Sequence, residues 1–579
     1  MTRRVVTTGD GLSLAVWEHG DPDRPTVVAV HGYPDDHSVW DGVVRVLAEH
    51  YHVVTYDVRG AGESDKPRER AAYRLDRLVG DLAAVLDAVS PDRPAHLLAH
   101  DWGSIQAWQA VTEEQLRARI ASFTSISGPC LDHAGAWMRG QWRRPTPRNL
   151  RQLLTQLAFS GYIGFFQLPV LPELAWYSGA MSRLLSTVEK MDPVADGTPP
   201  RPRIADGVRG LELYRANMMP RLSAPRVRRT SVPVQVLAPT GDPFVSTPLQ
   251  AAAARWVPEM RLRRLPGGHW LPRTRPELIA RCAAELVENV ESGAEPRSLR
   301  QARVGSGRFA DRLVVITGAG SGIGRATALE LAERGAEIVA ADVDEKAAAR
   351  TAELAALLGP GATPYQVDVS DGEAMQRFAE DVRTRLGVPD IVVNNAGIGM
   401  AGAFADTTTE DWERVIDVNL WGVIHGCRLF ARQMTERGEG GRIVNIASAA
   451  AYLPSRTLPA YSTTKAAVLA LSQCLRAELA SAGIGITAVC PGLVNTGITS
   501  TTRFVGTGEE EQGRRRLAAT ALYRRRGFTP ERAAAGIVRA IERDAAVAPI
   551  TAEARAGLVL SRLTPGLLRA AARIEANPR

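Results

Sequence analysis

Short apolar runs alternate with longer amphipathic segments along most of the chain, and they fall into two blocks. The first block runs from about Val5 to Glu291 and contains TVVAVHG, HVVTYD, AHLLAHD and VPVQVLAP. The second block opens at residue 312 and contains LVVITG, EIVAAD, DIVVNNAG, GRIVNIAS and GITAVCPG. Runs of Val, Ile and Leu that alternate with helical segments are typical of parallel strands buried on both faces of a sheet. The pattern therefore predicts two α/β units, each built on a doubly wound parallel sheet.

Two segments break this rhythm and predict the domain organisation. Residues 292–308 are polar, carry Gly, Ser and Pro, and lack periodic apolar positions, which predicts a linker. Residues from about 130 to 230 are rich in Trp, Pro and Arg and predict a helical cap inserted above the first sheet. We therefore expect a first domain over 1–291 and a second domain over 309–579 that ends in a helical extension.

Composition narrows the functional classes. The chain has 579 residues, too many for one hydrophobic core. Its net charge is +7, but the cations are scattered and form no basic stripe interleaved with aromatic residues, so we predict no nucleic-acid partner. The five cysteines form no CxxC pair, which favours reduced thiols in a cytoplasmic protein and indicates no metal site.

Two apolar stretches leave alternatives open. Residues 152–172 carry no charge, and residues 555–574 read RAGLVLSRLTPGLLRAAARI. The first stretch fits the core of the cap, and the second fits a helix that packs in an oligomer. Each equally describes a surface that meets a greasy substrate or a membrane, so peripheral membrane contact stays open.

The candidate chemistry of the first block lies after its predicted strands. Asp101 occupies the tip of a strand, turn and helix in LLAHDWGSIQ, where many hydrolases carry a serine. An aspartate is already charged at neutral pH and suits displacement at an sp3 carbon through an alkyl ester. His269, held by Asp242, would activate water against that ester, and the backbone N–H groups of Tyr33 and Trp102 would stabilise the oxyanion. The residues predict an epoxide or an alkyl halide as the substrate.

The motifs HGYPDDHSVWDGV, YDVRGAGESDKP, HDWGS, GDPFV and GGHWLPRTRPEL resemble those of epoxide hydrolases over nearly the whole block. The resemblance implies that two cap tyrosines, Tyr162 and Tyr214, donate protons to the epoxide oxygen. His31 and His100 are expected to be structural, because His269 fills the role of base. The sequence departs from the family at Pro239 and Ala99, where Gly is more common.

The alternative for the first block is a dehalogenating or a merely substrate-binding domain. Haloalkane dehalogenases share the aspartate elbow, and Trp102 could donate to a halide. Tyr33, however, stands where those enzymes often have Asn.

The second block opens with a dinucleotide-binding pattern. In LVVITGAGSGIGRA a strand is followed by a turn with Gly318, Gly322 and Gly324 and by the start of a helix. Such glycines let a pyrophosphate approach the helix N-terminus. EIVAAD ends in Asp342, which is placed to accept hydrogen bonds from the adenosine ribose and would repel a 2′-phosphate. We therefore predict NAD as the cofactor, with NADP as the alternative.

The further motifs VDVSD, NNAG, VNLWG, IVNIASAAAY, YSTTK and PGLVNT resemble the short-chain dehydrogenase/reductase family over about 240 residues. The resemblance implies that Ser448 holds the substrate oxygen, that Tyr461 exchanges a proton with it and that Asn419 anchors a proton-relay water. Lys465, four residues after Tyr461 on one helical face, is expected to lower the pKa of that phenol. The predicted cofactor contacts are Gly318, Ser321, Gly322, Ile323, Gly324, Asp342, Asp368, Val369, Asn395, Gly397, Tyr461, Lys465, Pro491 and Thr496.

The order of the two blocks resembles that of the EphD-type fusion proteins of actinobacteria. It predicts an α/β-hydrolase fold with a helical cap, followed by a Rossmann-type sheet. The implied protein is a bifunctional enzyme that hydrolyses epoxides to vicinal diols and carries out NAD(P)-dependent alcohol oxidation or carbonyl reduction. Its substrates are expected to be small and lipid-like. We expect a homo-oligomer formed through the second domain.

Overall fold

The computed structural model describes residues 1–190, 192 and 202–572. Its contacts divide the chain into two compact units, Met1–Gly305 and Ser306–Arg579. The segment 292–308, expected to be a linker, contains a short helix, Arg297–Gln301, whose Leu299 is fully buried. The backbone N–H of Leu262 also donates to the carbonyl of Ala302 at 2.6 Å. Most of this segment is therefore part of the first unit.

The first unit contains an eight-stranded sheet in the order β1-β2-β4-β3-β5-β6-β7-β8. β1 pairs with β2, and β2 with β4, in antiparallel fashion, whereas all other neighbours are parallel. The strands are β1 (Thr2–Thr7), β2 (Ser13–His19), β3 (Thr26–Val30), β4 (His52–Tyr56), β5 (Ala95–His100), β6 (Ile120–Ile126), β7 (Val234–Pro239) and β8 (Met260–Leu265).

Fourteen α-helices accompany this sheet within the described residues. Six of them, α5 to α10, lie between β6 and β7 and form the helical cap that the sequence predicted near residues 130–230. The helices are α1 (Asp41–Leu47), α2 (Leu75–Val89), α3 (Trp102–Thr112), α4 (Glu114–Arg117), α5 (Leu131–Arg143), α6 (Pro147–Phe159), α7 (Gly161–Phe166), α8 (Leu171–Tyr177), α9 (Ala180–Lys190), α10 (Ile204–Ser223), α11 (Thr247–Gln250), α12 (Leu271–Thr274), α13 (Pro276–Ser292) and α14 (Arg297–Gln301).

The second unit contains a seven-stranded, wholly parallel sheet in the order β11-β10-β9-β12-β14-β15-β17, and β13 pairs with β16 beside it. The strands are β9 (Leu313–Thr317), β10 (Glu337–Asp342), β11 (Ala362–Gln366), β12 (Ile391–Asn394), β13 (Met400–Ala401), β14 (Gly441–Ile446), β15 (Ile484–Cys490), β16 (Arg503–Phe504) and β17 (Val547–Pro549).

The helices of the second unit follow its strands, and a π-helical turn, Asp417–Trp421, joins two of them. They are α15 (Gly322–Glu333), α16 (Glu345–Ala356), α17 (Gly372–Arg385), α18 (Thr409–Ile416), α19 (Gly422–Arg437), α20 (Pro459–Glu478), α21 (Ile498–Thr501), α22 (Glu509–Arg526), α23 (Pro530–Arg543), α24 (Ala552–Leu563) and α25 (Pro565–Ala571).

The central strands β3, β4, β5 and β9 are buried at every position because helices cover both faces of each sheet. In β9, Val314 and Ile316 pack in one core layer, whereas Leu313 and Val315 pack in the layer on the opposite face. Successive side chains of a strand alternate between faces, so a continuous apolar run serves two cores. The predicted fold class, two doubly wound α/β units of which the first carries a cap, is confirmed.

Candidate active sites

Asp101 lies in a tight turn between β5 and α3. Its backbone has φ 50° and ψ −120°, a left-handed region that side chains other than glycine rarely adopt. Strand and helix approach closely here: a Cβ at Gly103 would lie 2.2 Å from the carbonyl oxygen of Val30, and one at Gly128 would lie 2.1 Å from that of Asp101. The glycines permit this approach, and the strained turn presents the carboxylate at the carboxyl end of the sheet.

The carboxylate of Asp101 lies among the groups that the sequence predicted. The backbone N–H of Tyr33 donates to its Oδ1 at 2.8 Å, and Nε2 of His269 lies 3.6 Å from its Oδ2. Trp102 is the first residue of α3, and its indole ring packs edge-on against Tyr214 with centroids 4.9 Å apart. One predicted oxyanion donor, the Tyr33 amide, is thus already directed at the nucleophile.

His269 lies between two carboxylates. Its Nδ1 is 3.1 Å from Oδ2 of Asp242, whose other oxygen accepts from the backbone N–H groups of Phe244 and Val245 at 2.8 and 3.1 Å. Burial by itself lowers the pKa of His269, but the charges and hydrogen bonds of Asp242 and Asp101 outweigh it and raise the pKa to about 10. With both carboxylates ionised, His269 is therefore an imidazolium.

The other two histidines near the elbow make structural contacts. Nε2 of His100 lies 3.0 Å from the backbone carbonyl of His269, and burial lowers the pKa of His100 to about 4, so its ring is neutral. Nε2 of His31 accepts from the backbone N–H of Val58 at 3.0 Å. The contact of His31 occupies the lone pair that a base would need, whereas His100 donates to a carbonyl through Nε2 and its Nδ1 is buried without a hydrogen-bond partner in the described part of the chain.

A cavity of about 570 Å³ lies over Asp101. Tyr162 of α7 and Tyr214 of α10 line it together with Asp101 and His269, and the two phenol rings pack edge to face with centroids 5.9 Å apart. Burial raises the pKa of both phenols, so each remains a proton donor at neutral pH. The rest of the lining is mostly apolar and includes Phe165, Phe166, Ala175, Met181, Leu184, Leu185, Val188, Phe244 and Trp270.

Sequence reasoning missed the aromatic wall beside the histidine. The ring of Phe244 packs edge-on against His269, with centroids 4.9 Å apart, and also against Tyr162 at 5.4 Å. Trp270 contacts His269 from the next position in the chain. The signal was available, because Phe244 and Trp270 lie within the GDPFV and GGHW motifs.

The second site begins at the glycine turn after β9. Gly318 and Gly322 have φ of 63° and 53°, and a Cβ at Gly324 would lie 2.1 Å from the carbonyl oxygen of Gly318. The side-chain amide of Asn395 donates to the carbonyls of Thr317 and Gly318 at 3.0 Å each. The NNAG loop thereby holds the turn in place. Glycine is required where the backbone is left-handed and where strand and helix meet.

A cavity of about 930 Å³ extends from this turn. Helix α15 begins at Gly322, and the residue before it, Ser321, makes no capping hydrogen bond through its side chain. Asp342 accepts from the backbone N–H groups of Gly320 and Asp344 at 2.7 and 3.0 Å. The predicted residues that line the cavity are Gly318, Ser321, Gly322, Ile323, Asp342, Asp368, Val369, Asn395, Gly397, Ser448, Tyr461, Lys465, Pro491 and Thr496. Gly324 and Asn419 are not in its wall.

The Ser448, Tyr461 and Lys465 side chains meet as predicted, but the electrostatics differ from the expectation. A hydrogen bond with Ser448 lowers the pKa of Tyr461, but burial has the larger effect and raises this pKa to about 12. Burial also lowers the pKa of Lys465 to about 8. The Lys465 ammonium donates to the carbonyl of Ile446 at 2.9 Å and lies 5.9 Å from the centre of the Tyr461 ring. The expected lowering of the phenol pKa by Lys465 is not found, because burial dominates.

Asn419 lies in the π-helical turn and is fully buried. Its Oδ1 accepts from the backbone N–H of Ile398 at 2.8 Å, and its Nδ2 donates to the carbonyl of the same residue at 3.0 Å. The side chain therefore braces the loop that follows NNAG. Its role in anchoring a relay water stays a prediction.

The C-terminal extension contributes to the second cavity, which the sequence did not reveal. Tyr523 of α22 and Glu553 of α24 line it. Glu553 accepts from the backbone N–H of Leu493 at 3.0 Å and forms an ion pair with Arg526 at 2.6 Å. No motif marks these residues, because they reach the cavity only through the tertiary fold.

Comparisons with known proteins agree with this architecture. A family model described as alpha/beta hydrolase fold matches residues 25–276, and one described as short chain dehydrogenase matches residues 312–504. Proteins named "Probable oxidoreductase EphD" from Mycobacterium tuberculosis (strain H37Rv) and Mycobacterium bovis are 42% identical over 584 residues, covering 99% of this chain and 98% of each relative. The chain belongs to the EphD family. The order of domains in this EphD-family protein, hydrolase fold first and dehydrogenase second, is the one its motifs predicted.

Two further similarities of this EphD-family chain lie in its dehydrogenase unit. "Putative oxidoreductase SadH" of Mycobacterium tuberculosis is 36% identical over 258 residues, which are 44% of this chain and 91% of that protein. A short-chain dehydrogenase from Burkholderia phymatum, crystallised in complex with NAD, is 32% identical with a TM-score of 0.41, and the match covers 47% of this chain and 98% of that one.

Proposed function

We propose that the first unit hydrolyses epoxides to vicinal diols through an ester at Asp101, and that the second unit oxidises alcohols or reduces carbonyls with NAD. One observation carries the first half of this proposal. Asp101, His269 and the two protonated tyrosines line one largely apolar cavity, and Asp242 holds His269 from behind. Such a cavity suits an uncharged, lipid-like epoxide.

In the first step the carboxylate of Asp101 attacks an epoxide carbon. The C–O bond of the ring breaks as the ester bond forms, and the epoxide oxygen takes a proton from the tyrosine pair. The raised pKa values of Tyr162 and Tyr214 keep both phenols in the donor form before this step. An aspartate carboxylate is itself an anionic nucleophile and needs no base for activation.

In the second step water attacks the ester carbonyl. Esterification removes the negative charge of Asp101, so His269 loses one of the two anions that raise its pKa. The neutral imidazole can then take a proton from water. The Tyr33 N–H, already on Oδ1 of Asp101, and the neighbouring Trp102 N–H would stabilise the oxyanion, at about 3 kcal/mol per donor. The tetrahedral intermediate then collapses, the bond between the Asp101 carboxyl carbon and the alkoxide oxygen breaks, and that oxygen takes the hydroxyl proton, so that the diol leaves and the carboxylate re-forms. The proton that the imidazolium carries replaces the one that the tyrosine pair gave in the first step.

The second candidate, displacement of halide from an alkyl halide, is less well supported by the cavity. Halide binding needs N–H donors free to face the leaving group. The indole N–H of Trp102, the donor expected from the sequence, is buried without a hydrogen-bond partner among the described residues and is one such donor. The indole N–H of Trp176 is already committed, because it donates to the Tyr33 hydroxyl at 2.8 Å, and that hydroxyl donates to the carbonyl of Gly207 at 2.9 Å. Two phenols over the nucleophile also have no role in halide displacement.

The covalent intermediate provides the test. His269→Gln incubated with styrene oxide should accumulate an adduct of the epoxide's mass on the peptide that contains Asp101, as measured by mass spectrometry. Asp101→Asn should form none. Release of chloride from alkyl chlorides, without an adduct or diol from any epoxide, would favour the dehalogenase instead.

The second cavity fits a dinucleotide. The left-handed glycines and the uncapped start of α15 suit a pyrophosphate, and a Cβ at Gly320 would lie 2.7 Å from the Asp342 carboxylate, so that carboxylate adjoins the turn. Asp342 would bind the adenosine ribose, and NAD, when bound, supplies the hydride acceptor. Ser448 and Tyr461 hold the substrate oxygen, and the Tyr461 phenol exchanges the proton.

Cofactor preference is tested by steady-state kinetics. The wild type should show a higher kcat/KM with NAD than with NADP, because the Asp342 carboxylate repels a 2′-phosphate. Asp342→Ser should reduce this preference at least tenfold. Asp344→Ser, which removes a carboxylate two residues away, is the matched control and should leave it unchanged. Equal wild-type values for both cofactors would contradict the proposal.

We also propose that the two reactions are consecutive, since a vicinal diol can be a secondary alcohol that a dehydrogenase oxidises. With an epoxide and NAD supplied together, the wild type should produce NADH, Asp101→Asn should not, and the diol should restore the signal in that variant. A diol that gives no NADH at any pH would refute consecutive action. The proposed homo-oligomer, formed through the second unit, is tested by analytical ultracentrifugation of the separate units.

A further inference from the structure

The helices α6 to α9 of the cap are apolar on two sides. The inner sides of α7, α8 and α9 line the cavity over Asp101. On their outer side, large apolar side chains are about half exposed or more to solvent. We call this the outer cap face and define it by Leu154 (57% exposed), Leu157 (50%), Val170 (62%), Leu171 (55%), Leu174 (55%) and Tyr177 (65%).

Helical periodicity separates the two sides. In α6, Leu150, Leu154 and Leu157 are spaced by four and three residues and are all exposed, whereas Leu153 and Gln156 are buried. Between α7 and α8, Val170 has φ 67°, an uncommon conformation for a β-branched residue, and it remains exposed. The exposed residues lie on or next to successive helices that contact one another in turn, and such a concentration of exposed apolar side chains marks a binding surface.

The charge around this face indicates what it binds. Residues 133–172 contain five arginines and neither Asp nor Glu. Arg143, Arg144, Arg148 and Arg151 are exposed, and so is Trp142, at 73%. Arginine and tryptophan beside an exposed leucine face are typical of helices that lie in the interface of an anionic bilayer. This composition favours lipid over a second copy of the chain, because the one acidic residue of α6 to α8, Glu173, is already paired with Arg215 and leaves no carboxylate for the arginines of a second copy.

The outer cap face is also continuous with the cavity. Leu184 of α9 is 55% exposed and lines the cavity, and Phe165 of α7 and Ala175 of α8 line it from helices next to the outer face. An apolar chain could therefore pass from a bilayer into the cavity along apolar side chains.

We propose that the outer cap face docks on the surface of an anionic lipid bilayer, with its leucines in the acyl boundary and its arginines among the headgroups. The contact is peripheral. Within the described ranges, no helix has the length and apolar character needed to cross a membrane. The inference goes beyond the proposed chemistry and does not depend on the reaction at Asp101.

Vesicle co-sedimentation of the full-length protein tests the apolar part of the proposal. The wild type should bind vesicles of phosphatidylglycerol and phosphatidylcholine and should bind pure phosphatidylcholine at least tenfold more weakly. Leu154→Ser combined with Leu174→Ser should weaken binding to the anionic vesicles at least tenfold. The matched control, Leu357→Ser with Leu517→Ser, alters two exposed leucines of the second unit and should bind as the wild type does.

Charge variants test the electrostatic part. Arg148→Gln with Arg151→Gln should weaken binding by about fivefold per arginine and reduce its salt dependence. Arg45→Gln with Arg77→Gln, exposed residues of α1 and α2, removes the same charge outside the cap and should have no effect. Thermal unfolding and turnover of a water-soluble epoxide should be unchanged in all variants.

Three results would overturn the proposal. The first is that the wild-type protein does not sediment with anionic vesicles. The second is that the leucine and arginine variants bind these vesicles as strongly as the wild type does. The third is self-association in ultracentrifugation that the leucine variant abolishes without any vesicle binding, which would assign the face to a second copy of the chain.

Discussion

Removing the charge of Asp101 should lower the pKa of His269 by about 2–3 units, from about 10 to between about 7 and 8. Asp101→Asn imitates the charge of the ester intermediate, because both an ester and an amide are neutral. The variant therefore shows what happens to the histidine during the reaction. If the proposed mechanism is correct, the loss of this anion is what converts His269 from an imidazolium into a base near neutral pH.

The size of the shift follows from the geometry. Nε2 of His269 lies 3.6 Å from Oδ2 of Asp101. At an effective dielectric constant of about 20, unit charges at that separation interact by about 5 kcal/mol, which corresponds to about 3 pKa units. Each charge is spread over a ring or two oxygens, so the effective separation is larger and about 2–3 units are expected. Asp242, at 3.1 Å from Nδ1, remains and keeps the pKa above its ordinary value of 6.5.

The assay is an NMR titration of the imidazole ring protons in the wild type and in Asp101→Asn, with His269→Gln to assign the resonance. Asp57→Asn, which removes a buried carboxylate bonded to His37, is the control and should leave the pKa of His269 unchanged. A His269 pKa in Asp101→Asn within half a unit of the wild-type value would refute the reasoning, because the histidine would then stay protonated after the ester forms.

Three further predictions concern the packing and the chemistry of the first unit. Gly103→Ala should destabilise this unit by about 3 kcal/mol or more in denaturant unfolding, because the new Cβ would lie 2.2 Å from a carbonyl oxygen. Gly80→Ala is the control and should not destabilise the unit, because no atom lies within 4 Å of the new Cβ. Arg273→Ala should lower the free energy of unfolding by about 3 kcal/mol in the same measurement, because it leaves Asp35 and Glu189 buried without their cation. Arg119→Ala, which breaks a more exposed ion pair with Asp87, is the control and should lower it by less than about 1 kcal/mol. Tyr162→Phe and Tyr214→Phe should each slow ester formation in single-turnover experiments by about 10²-fold, and an unchanged rate in both would exclude the phenols as proton donors.

The sequence predicted the strands that are buried on both faces and missed several others. β3, β4, β5 and β9 each contain adjacent Val, Ile or Leu residues and are buried at every position, because helices cover both of their faces. β8 reads MRLRRL and is an edge strand, and its Arg263 pairs with Glu285 instead of contributing to an apolar run. β11 is also an edge strand, in the second sheet, and it is only partly buried and contains a proline. Edge strands need fewer apolar residues, so their sequences give a weaker signal.

The candidate site residues differ in the same way. Asp101, Asp242 and His269 follow predicted strands within recognisable motifs, so their grouping could be predicted from the order of the chain. Tyr162 and Tyr214 came from a family resemblance alone, since no local pattern places a cap helix over a sheet. The prediction that Lys465 lowers the pKa of Tyr461 was wrong, because spacing along a helix shows neither how deeply a phenol is buried nor where an ammonium group points. Here the Lys465 ammonium donates to the carbonyl of Ile446.

The uncharged stretch 152–172 shows why composition could not decide between core and surface. A helix turns by about 100° per residue, so consecutive leucines such as Leu153 and Leu154 face different directions, and here the first is buried and the second exposed. Some residues of this stretch therefore belong to the core of the cap and others to its surface.

This separation can be tested: Leu154→Ser should affect vesicle binding without affecting turnover of a water-soluble epoxide. Phe165→Ala, on the cavity side, should affect turnover without affecting vesicle binding. Because Leu154 of α6 lies on the exposed side of the cap and Phe165 of the adjacent α7 lines the cavity, a substitution that disturbs both properties would indicate a change in the cap's packing and not a role in either.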